Sequence, residues 1–194
     1  MPDIDPTRKE VRGGMKRLIL QECPNGRGVF ASERILAGEE ILKFSGSLIK
    51  RRNLPEIHSQ DEDYYLQVAD NVFLGPSGEI DDYINHSCDP NTGVVIEDKT
   101  SKLVAVQDIG RGEEIRFDYS TTMYKPVLVM KCSCGSPICR GKVVDFIFLP
   151  QEIQAKYIAL GVVPEYITRR INEKSLQIQQ GFPAADSRRR RIRL

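Results

Sequence analysis

Apolar residues come in short runs separated by turn-forming residues. Lys16 to Glu22 (KRLILQE) is the first such run, and it stops at Cys23-Pro24-Asn25-Gly26, a cluster that turns the chain sharply. Strand-like runs follow at Gly28 to Ser32, Glu40 to Phe44, Tyr64 to Ala69, Val72 to Leu74, Gly93 to Glu97, Lys102 to Gln107, Glu114 to Tyr119 and Val127 to Lys131. Most are only about five residues long, which predicts a mainly β domain of short strands. Glu97-Asp98-Lys99-Thr100 reads as a hairpin turn. Helical periodicity arrives late: after Pro150, Ile153, Tyr157 and Leu160 fall at i, i+4 and i+7, and Gly161 is placed to end the helix. A second helix follows Pro164 with Ile167 and Ile171 on its inner side. Together they read as a helical hairpin that packs on the β body as scaffold. Leu54 to Asp63 is polar and without period, a loop or irregular helix, and both chain termini read as disordered.

Composition narrows the class. The 194 residues suit one domain with appendages. With 40% hydrophobic, 28% charged and 7% aromatic residues, the chain reads as an ordinary soluble globular protein. No apolar run approaches the roughly 20 residues of a membrane helix. Residues 1 to 14 carry Asp3, Asp5, Arg8, Lys9, Glu10 and Arg12 without an apolar core, so a secretory leader is not expected and the expected location is cytoplasmic. The net charge is +1, and less the five charges of Arg188 to Arg191 and Arg193 it is −4. The body is mildly acidic and the tail basic. Such a tail is expected to be solvated, with weak nucleic-acid contact as its functional reading.

The cysteines bring in the first chemistry. Cys132-Ser133-Cys134-Gly135-Ser136-Pro137-Ile138-Cys139 has the spacing C-x-C-x4-C around residues that bend the chain. Three thiolates held that closely repel unless a cation joins them, and Zn2+ takes four such ligands tetrahedrally. The fourth ligand is open at this point among Cys88, Cys23, His58 and His86. A closed four-ligand site is structural, so the reaction must lie elsewhere.

Four motifs in order point to that place. Gly26-Arg27-Gly28-Val29-Phe30-Ala31, Gly38-Glu39-Glu40-Ile41, Tyr83-Ile84-Asn85-His86-Ser87-Cys88-Asp89-Pro90-Asn91 and Gly112-Glu113-Glu114-Ile115-Arg116-Phe117-Asp118-Tyr119 precede the cysteine run. From about Lys16 to Gly141 the sequence resembles a SET-domain protein-lysine methyltransferase with a post-SET zinc motif. The resemblance implies a mainly β, β-clip-like fold with a knot-like core. It divides the chain into a tail over 1–15, a SET domain over 16–125, a post-SET zinc segment over 126–145, C-terminal helices over 146–176 and a basic tail over 177–194.

The same resemblance assigns roles. Gly26, Arg27 and Gly28 are implied to lie against S-adenosyl-L-methionine, with Tyr65, Asn85 and His86 as further donor-binding residues. Tyr119 matches the family's catalytic Tyr. A lysine amine with a pKa of about 10.4 must lose a proton before it attacks a methyl group, and a phenol of pKa about 10 is a poor bulk base. Tyr119 is therefore read as aligning the amine, with water taking the proton. Phe117 matches the residue of the substrate channel that sets methylation number, and as Phe it favours di- or trimethylation. Asp118 is read as pointing to the other face without a catalytic role. Cys88 is implied as the ligand that completes Cys132, Cys134 and Cys139 around one Zn2+.

Two departures stand out. Asp82-Tyr83 replaces the family's usual Arg-Phe, and no cysteine precedes Cys23, so a Cys-rich pre-SET module is not expected and the compact form looks bacterial. The expected partner is a lysine-bearing protein, histone-like or otherwise basic, and the location would be nuclear or chromatin-associated in a eukaryotic cell. No membrane partner is expected. A reading from another class is a catalytically silent, zinc-stabilised module that binds a peptide or chromatin.

Overall fold

The computed structural model describes residues 9–13, 16–24, 26–54, 65–97, 100–124 and 129–179. In chain order its strands are β1 (Lys9–Gly13), β2 (Lys16–Cys23), β3 (Gly26–Ala31), β4 (Glu40–Lys43), β5 (Leu48–Lys50), β6 (Leu66–Ala69) and β7 (Val72–Leu74). There follow β8 (Asn85–His86), β9 (Thr92–Glu97), β10 (Thr100–Ala105), β11 (Arg116–Phe117), β12 (Met130–Lys131) and β13 (Lys142–Val143). Three antiparallel sheets, ordered β1-β2-β3, β4-β10-β9 and β5-β7-β6, form the body. β8 and β11 pair in parallel, and β12 pairs with β13.

Alternation explains the sheets. In β10, Ser101, Leu103 and Ala105 point inward while their neighbours are partly exposed. Glu97 pairs with Thr100, which makes the connection a two-residue hairpin as the sequence predicts. Leu18, Val29, Ile35, Ile41, Val94, Leu103, Ile109 and Ile115 are wholly buried in one cluster. Each such side chain contributes about 1.5–3 kcal/mol.

Helices α1 (Gln151–Ala159) and α2 (Glu165–Gln179) start after Pro150 and Pro164 as expected. Tyr157, Val162, Tyr166 and Ile167 join Tyr124, Phe146 and Leu149 in a second cluster, against Val95 and Val104 of the sheet. A Cβ on Gly93 in β9 would lie 2.3 Å from Val162 Cγ1, so only glycine lets the helical connection sit this close.

Several expectations need correction. The N-terminal tail is not irregular through residue 15, because Lys9–Gly13 forms β1 along β2. Leu160 is 41% exposed, since the helix ends before it and turns it outward, and Tyr166 is the buried residue that periodicity missed. Tyr65 lies just before β6, outside the strand. The run Glu114 to Tyr119 is a strand only at β11, and Tyr119 begins a 3-10 turn over Tyr119–Thr122. The arginine tail, His58, Tyr64 and most of the 54–63 loop lie outside the described residues.

Candidate active site and metal centre

Residues 113–117 run between β3 and the 85–92 loop and are bonded on both sides. Towards β3, the Ala31 N–H donates to Glu113 O at 3.0 Å and the Ile115 N–H to Val29 O at 2.8 Å. On the other side, the Ser87 N–H donates to Phe117 O at 3.0 Å. Asn91, buried at the end of the Asn85–Asn91 motif, accepts from Arg116 N–H at 2.9 Å and donates to Glu114 O at 2.8 Å. The Thr92 hydroxyl donates to Arg116 O at 2.8 Å. This threading is the knot-like core, and it delivers Phe117 and Tyr119 beside Asn85 and His86.

The glycine turn is shaped by the protein's own side chains. A Cβ on Gly28 would come within 2.6 Å of Glu114 Oε1 and 2.9 Å of Asn85 Nδ2. Asn85 Nδ2 donates to Glu114 Oε1 at 2.8 Å and to Arg27 O at 3.1 Å, which ties the turn to β8. Its Oδ1 makes no hydrogen bond among the described residues and remains available as an acceptor. Gly26 has φ 101°, a conformation glycine adopts readily. Arg27 donates to the Tyr83 hydroxyl at 2.7 Å and stacks 4.2 Å from its ring. Where the family has Phe, Tyr83 therefore adds a hydroxyl acceptor for Arg27 at this turn. Asp82 accepts from the Ser77 and Gly78 N–H groups and orders the loop before it.

His86 is committed inward. The Tyr119 N–H donates to His86 Nδ1 at 3.2 Å, which assigns the ring proton to Nε2, 3.4 Å from Cys88 Sγ. Burial lowers the imidazole pKa to about 4 against the pull of Asp118, and Arg140 and Arg116 act in the same direction. The ring is thus a neutral bridge between the cysteines and Tyr119. The Tyr119 hydroxyl donates to Ile84 O at 2.8 Å, and its ring lies 4.8 Å from Phe117 and 5.3 Å from His86. Phe117 is also packed 6.1 Å from Phe44, so it serves the core as well as the site.

Cys88, Cys132, Cys134 and Cys139 lie close together. Cys88 Sγ is 3.7 Å and Cys139 Sγ 3.6 Å from Cys132 Sγ, close to the edge of about 3.8 Å of a sulfur tetrahedron with Zn–S bonds of about 2.3 Å. N–H groups of Arg140, Cys88 and Gly141 point at Cys88, Cys134 and Cys139 sulfur respectively, at 3.4–3.5 Å, as suits thiolates. Burial raises the Cys88 thiol to about 11 and lifts Cys132 too. At Cys134 burial also raises it, but the Cys88 and Ser136 N–H groups prevail and leave it at about 7. These groups fit a zinc ion. His86 also lies within 4.8 Å of the sulfurs of Cys88, Cys132 and Cys134. Its Nε2 proton makes it a donor to Cys88 rather than a ligand. Cys23 is the odd thiol, held near Asn85 and Glu114.

Asp118, read from sequence as idle, is fully buried and central. Arg140 Nη2 reaches it at 2.7 Å, the Tyr157 hydroxyl donates at 2.9 Å, the Ser120 N–H donates at 3.1 Å, and His86 Nδ1 stands 3.6 Å away. The position of Arg140 directly after Cys139 was the only available signal. Tyr65 is half-buried and makes none of the contacts described for this cluster. Asn85, His86, Tyr119, Met130, Lys131 and the Cys132–Cys134 segment line an open cleft.

Residues 26–120 match the SET domain family model. The chain carries a SET domain. Around this SET domain, the chain is 30% identical over 140 residues to histone-lysine N-methyltransferase ASHH3 of Arabidopsis thaliana, covering 66% of this chain and 38% of that protein. It is 28% identical over 197 residues to the H3 lysine-36 specific histone-lysine N-methyltransferase of Candida albicans, covering 92% and 23%. The chain thus spans well under half the length of these relatives. The SET domain fold recurs in the solved methyltransferase domain of human SETMAR, with TM-score 0.54, 22% identity and coverage of 65% of this chain and 57% of that one. It recurs too in Arabidopsis thaliana SUVH6 in complex with SAM, with TM-score 0.58, 21% identity and coverage of 68% and 33%. Among the described residues, no helix is long and apolar enough to cross a membrane.

Proposed function

We propose that this chain transfers methyl groups from S-adenosyl-L-methionine to the side-chain amine of a lysine in a protein substrate. The observation that carries the reading is that Tyr119 lines one cleft with Asn85, His86 and the cysteine hairpin. The donor supplies a methyl group on a sulfonium centre. Asn85 Oδ1 is an acceptor for a donor N–H, and the Gly26–Gly28 turn, pinned by Asn85, offers backbone groups at close approach. Arg27, fixed by Tyr83, closes the same edge, and Tyr65 is assigned to donor binding on resemblance alone.

Tyr119 acts as an acceptor. Its own proton is directed at Ile84 O, and in the proposed reaction its oxygen accepts an N–H of the incoming lysine and orients the nitrogen. Phe117 and the Tyr119 ring form an apolar wall that favours the neutral amine by desolvation. Solvent in the open cleft takes the amine proton. Zinc held by Cys88, Cys132, Cys134 and Cys139 would fix the hairpin against the donor loop and take no part in the reaction.

The substrate we infer is a histone or similarly basic protein, met on chromatin in a nucleus. The support lies in the curated relatives, named as histone-lysine N-methyltransferases, and in a similar solved chain, KRYPTONITE, bound to DNA, an H3(1-15) peptide and SAH. Labelled donor and a mixed histone substrate test the reading. Wild type should transfer label, and Tyr119→Phe should lower kcat by about 10²-fold. Equal labelling by both proteins would reject the role of Tyr119, and none by wild type would favour a silent binding module.

A further inference from the structure

We propose that Tyr157 and Tyr166, on the two C-terminal helices, are positioning residues for the transfer: their hydroxyls hold the two ends of the turn that carries Tyr119. This rests on the methyltransferase reading of Tyr119.

The turn over Tyr119–Thr122 is too short to hold itself. Within it, the Thr121 N–H and hydroxyl donate to Asp118 O at 2.9 and 2.8 Å, the Thr122 hydroxyl to Tyr119 O at 3.3 Å and the Met123 N–H to Ser120 O at 3.3 Å, and a single 3-10 turn of this kind is weakly bonded. At its start stands Asp118, whose carboxylate caps the Ser120 N–H and takes a hydrogen bond from the Tyr157 hydroxyl at 2.9 Å. At its end stands the Thr122 carbonyl. The Tyr166 hydroxyl lies between that oxygen and Gln67 O, within hydrogen-bond reach of both. One helix therefore grips the residue that caps the turn and the other grips the last residue of the turn.

The grip is stiff. Tyr157 and Tyr166 are 2% and 7% exposed, in a cluster with the wholly buried Phe146 and Ile167. Burial pushes both phenols above their ordinary pKa, so each keeps its proton and remains a donor. Arg169 and Arg170 bind Asp70, in the turn after β6, at 3.1 and 3.0 Å and fix α2 from outside the cluster. Through Asp118 the brace also reaches Arg140 in the zinc hairpin and His86 beside Tyr119. Both tyrosines lie beyond residue 120, where the SET domain match ends. The helices thus do more than the scaffold role read from their periodicity.

In-line transfer tolerates little displacement, and a shift of about 1 Å costs up to about 10²-fold in rate. Deleting one hydroxyl that fixes the turn should lower kcat without altering donor recognition, because Asn85 and the glycine turn are braced from β3. Tyr157→Phe is expected to lower kcat about tenfold, with the donor KM within about twofold. In a Tyr119→Phe background the same change should cost under about twofold, since the group it positions is gone. A purely structural tyrosine would lower the melting temperature and leave this split untouched.

The second readout is hydrogen exchange at the Tyr119 amide, which donates to His86. Tyr157→Phe should speed it about tenfold, and this holds even if wild type transfers no methyl group, so failure of the enzymatic reading is told apart from failure of the brace. A kcat within twofold of wild type, or an unchanged amide exchange rate where wild type is inactive, overturns the proposal. If Tyr157→Phe does not fold, Tyr166→Phe is judged by the same criteria.

Discussion

Asp118 and Asp145 are both buried carboxylates, 0% and 1% exposed, near opposite ends of the cysteine segment. Asp118 has a guanidinium, a phenol and a backbone N–H on its oxygens. Asp145, at the start of the 3-10 turn Phe146–Phe148, has no hydrogen-bond partner on either oxygen among the described residues. Burial raises its pKa to about 6, with Arg51 as the one charge pulling it back. Where the chain must hold Tyr119, His86 and the zinc hairpin in register, a buried charge is surrounded by donors. Away from that junction an equally buried charge is left as a standing cost to stability.

The contrast can be tested at decreasing size. Stripping zinc with a strong chelator should remove several kcal/mol, since binding energy at a structural zinc site is folding energy. Hydrogen exchange should then show loss of protection over Met130–Val143 and at Tyr119 together. Replacing Asp118 by Ala leaves Arg140 buried without its partner, and urea denaturation should show a loss of about 3–5 kcal/mol. If that variant is as stable as wild type, Asp118 is not the junction described.

Asp145→Asn should act in the opposite direction and stabilise by about 1–3 kcal/mol at pH 7.5, by removing a buried charge without partners. The sign follows from a folded pKa of about 6 against 3.8 when unfolded. The charged form is penalised above pH 6, and the penalty fades as pH falls through 6 towards 4 because the folded state binds the proton first. The stability gap between variant and wild type should therefore shrink between pH 7.5 and pH 5. A gap that is constant or reversed with pH would mean that Asp145 is paired in solution. The smallest effect is expected for Arg34→Ala. Its exposed 2.6 Å pair with Asp108 should contribute under about 1 kcal/mol, less in high salt.

Local signals made much of this legible. Short β-like runs bounded by turn residues located β4, β7, β9 and β10 within a residue or two. The cysteine spacing singled out Cys132, Cys134 and Cys139 and left the fourth ligand open, and only the family resemblance pointed to Cys88, whose sulfur lies 3.7 Å from that of Cys132. What sequence hid was non-local. Asp118 meets Arg140 across 22 positions and Tyr157 across 39, and nothing in its neighbourhood announces either. The strand pattern through Glu114 to Tyr119 was misleading for a related reason: Asp118 caps a turn there, so Tyr119 leaves the strand while its ring still meets Phe117. His86, expected to hold the donor, has both ring nitrogens engaged within the protein.

The passage of residues 113–117 between β3 and the 85–92 loop also bears on how the molecule is made. Asn85 takes its shape from Arg27, 58 positions earlier, and from Glu114, 29 positions later. Such distant pairings slow folding, and on the ribosome the pocket stays open until Cys139 has left the exit tunnel. A nascent chain arrested before that point would display the glycine turn and the Asn85 loop as separate pieces, exposed to chaperones and unable to act.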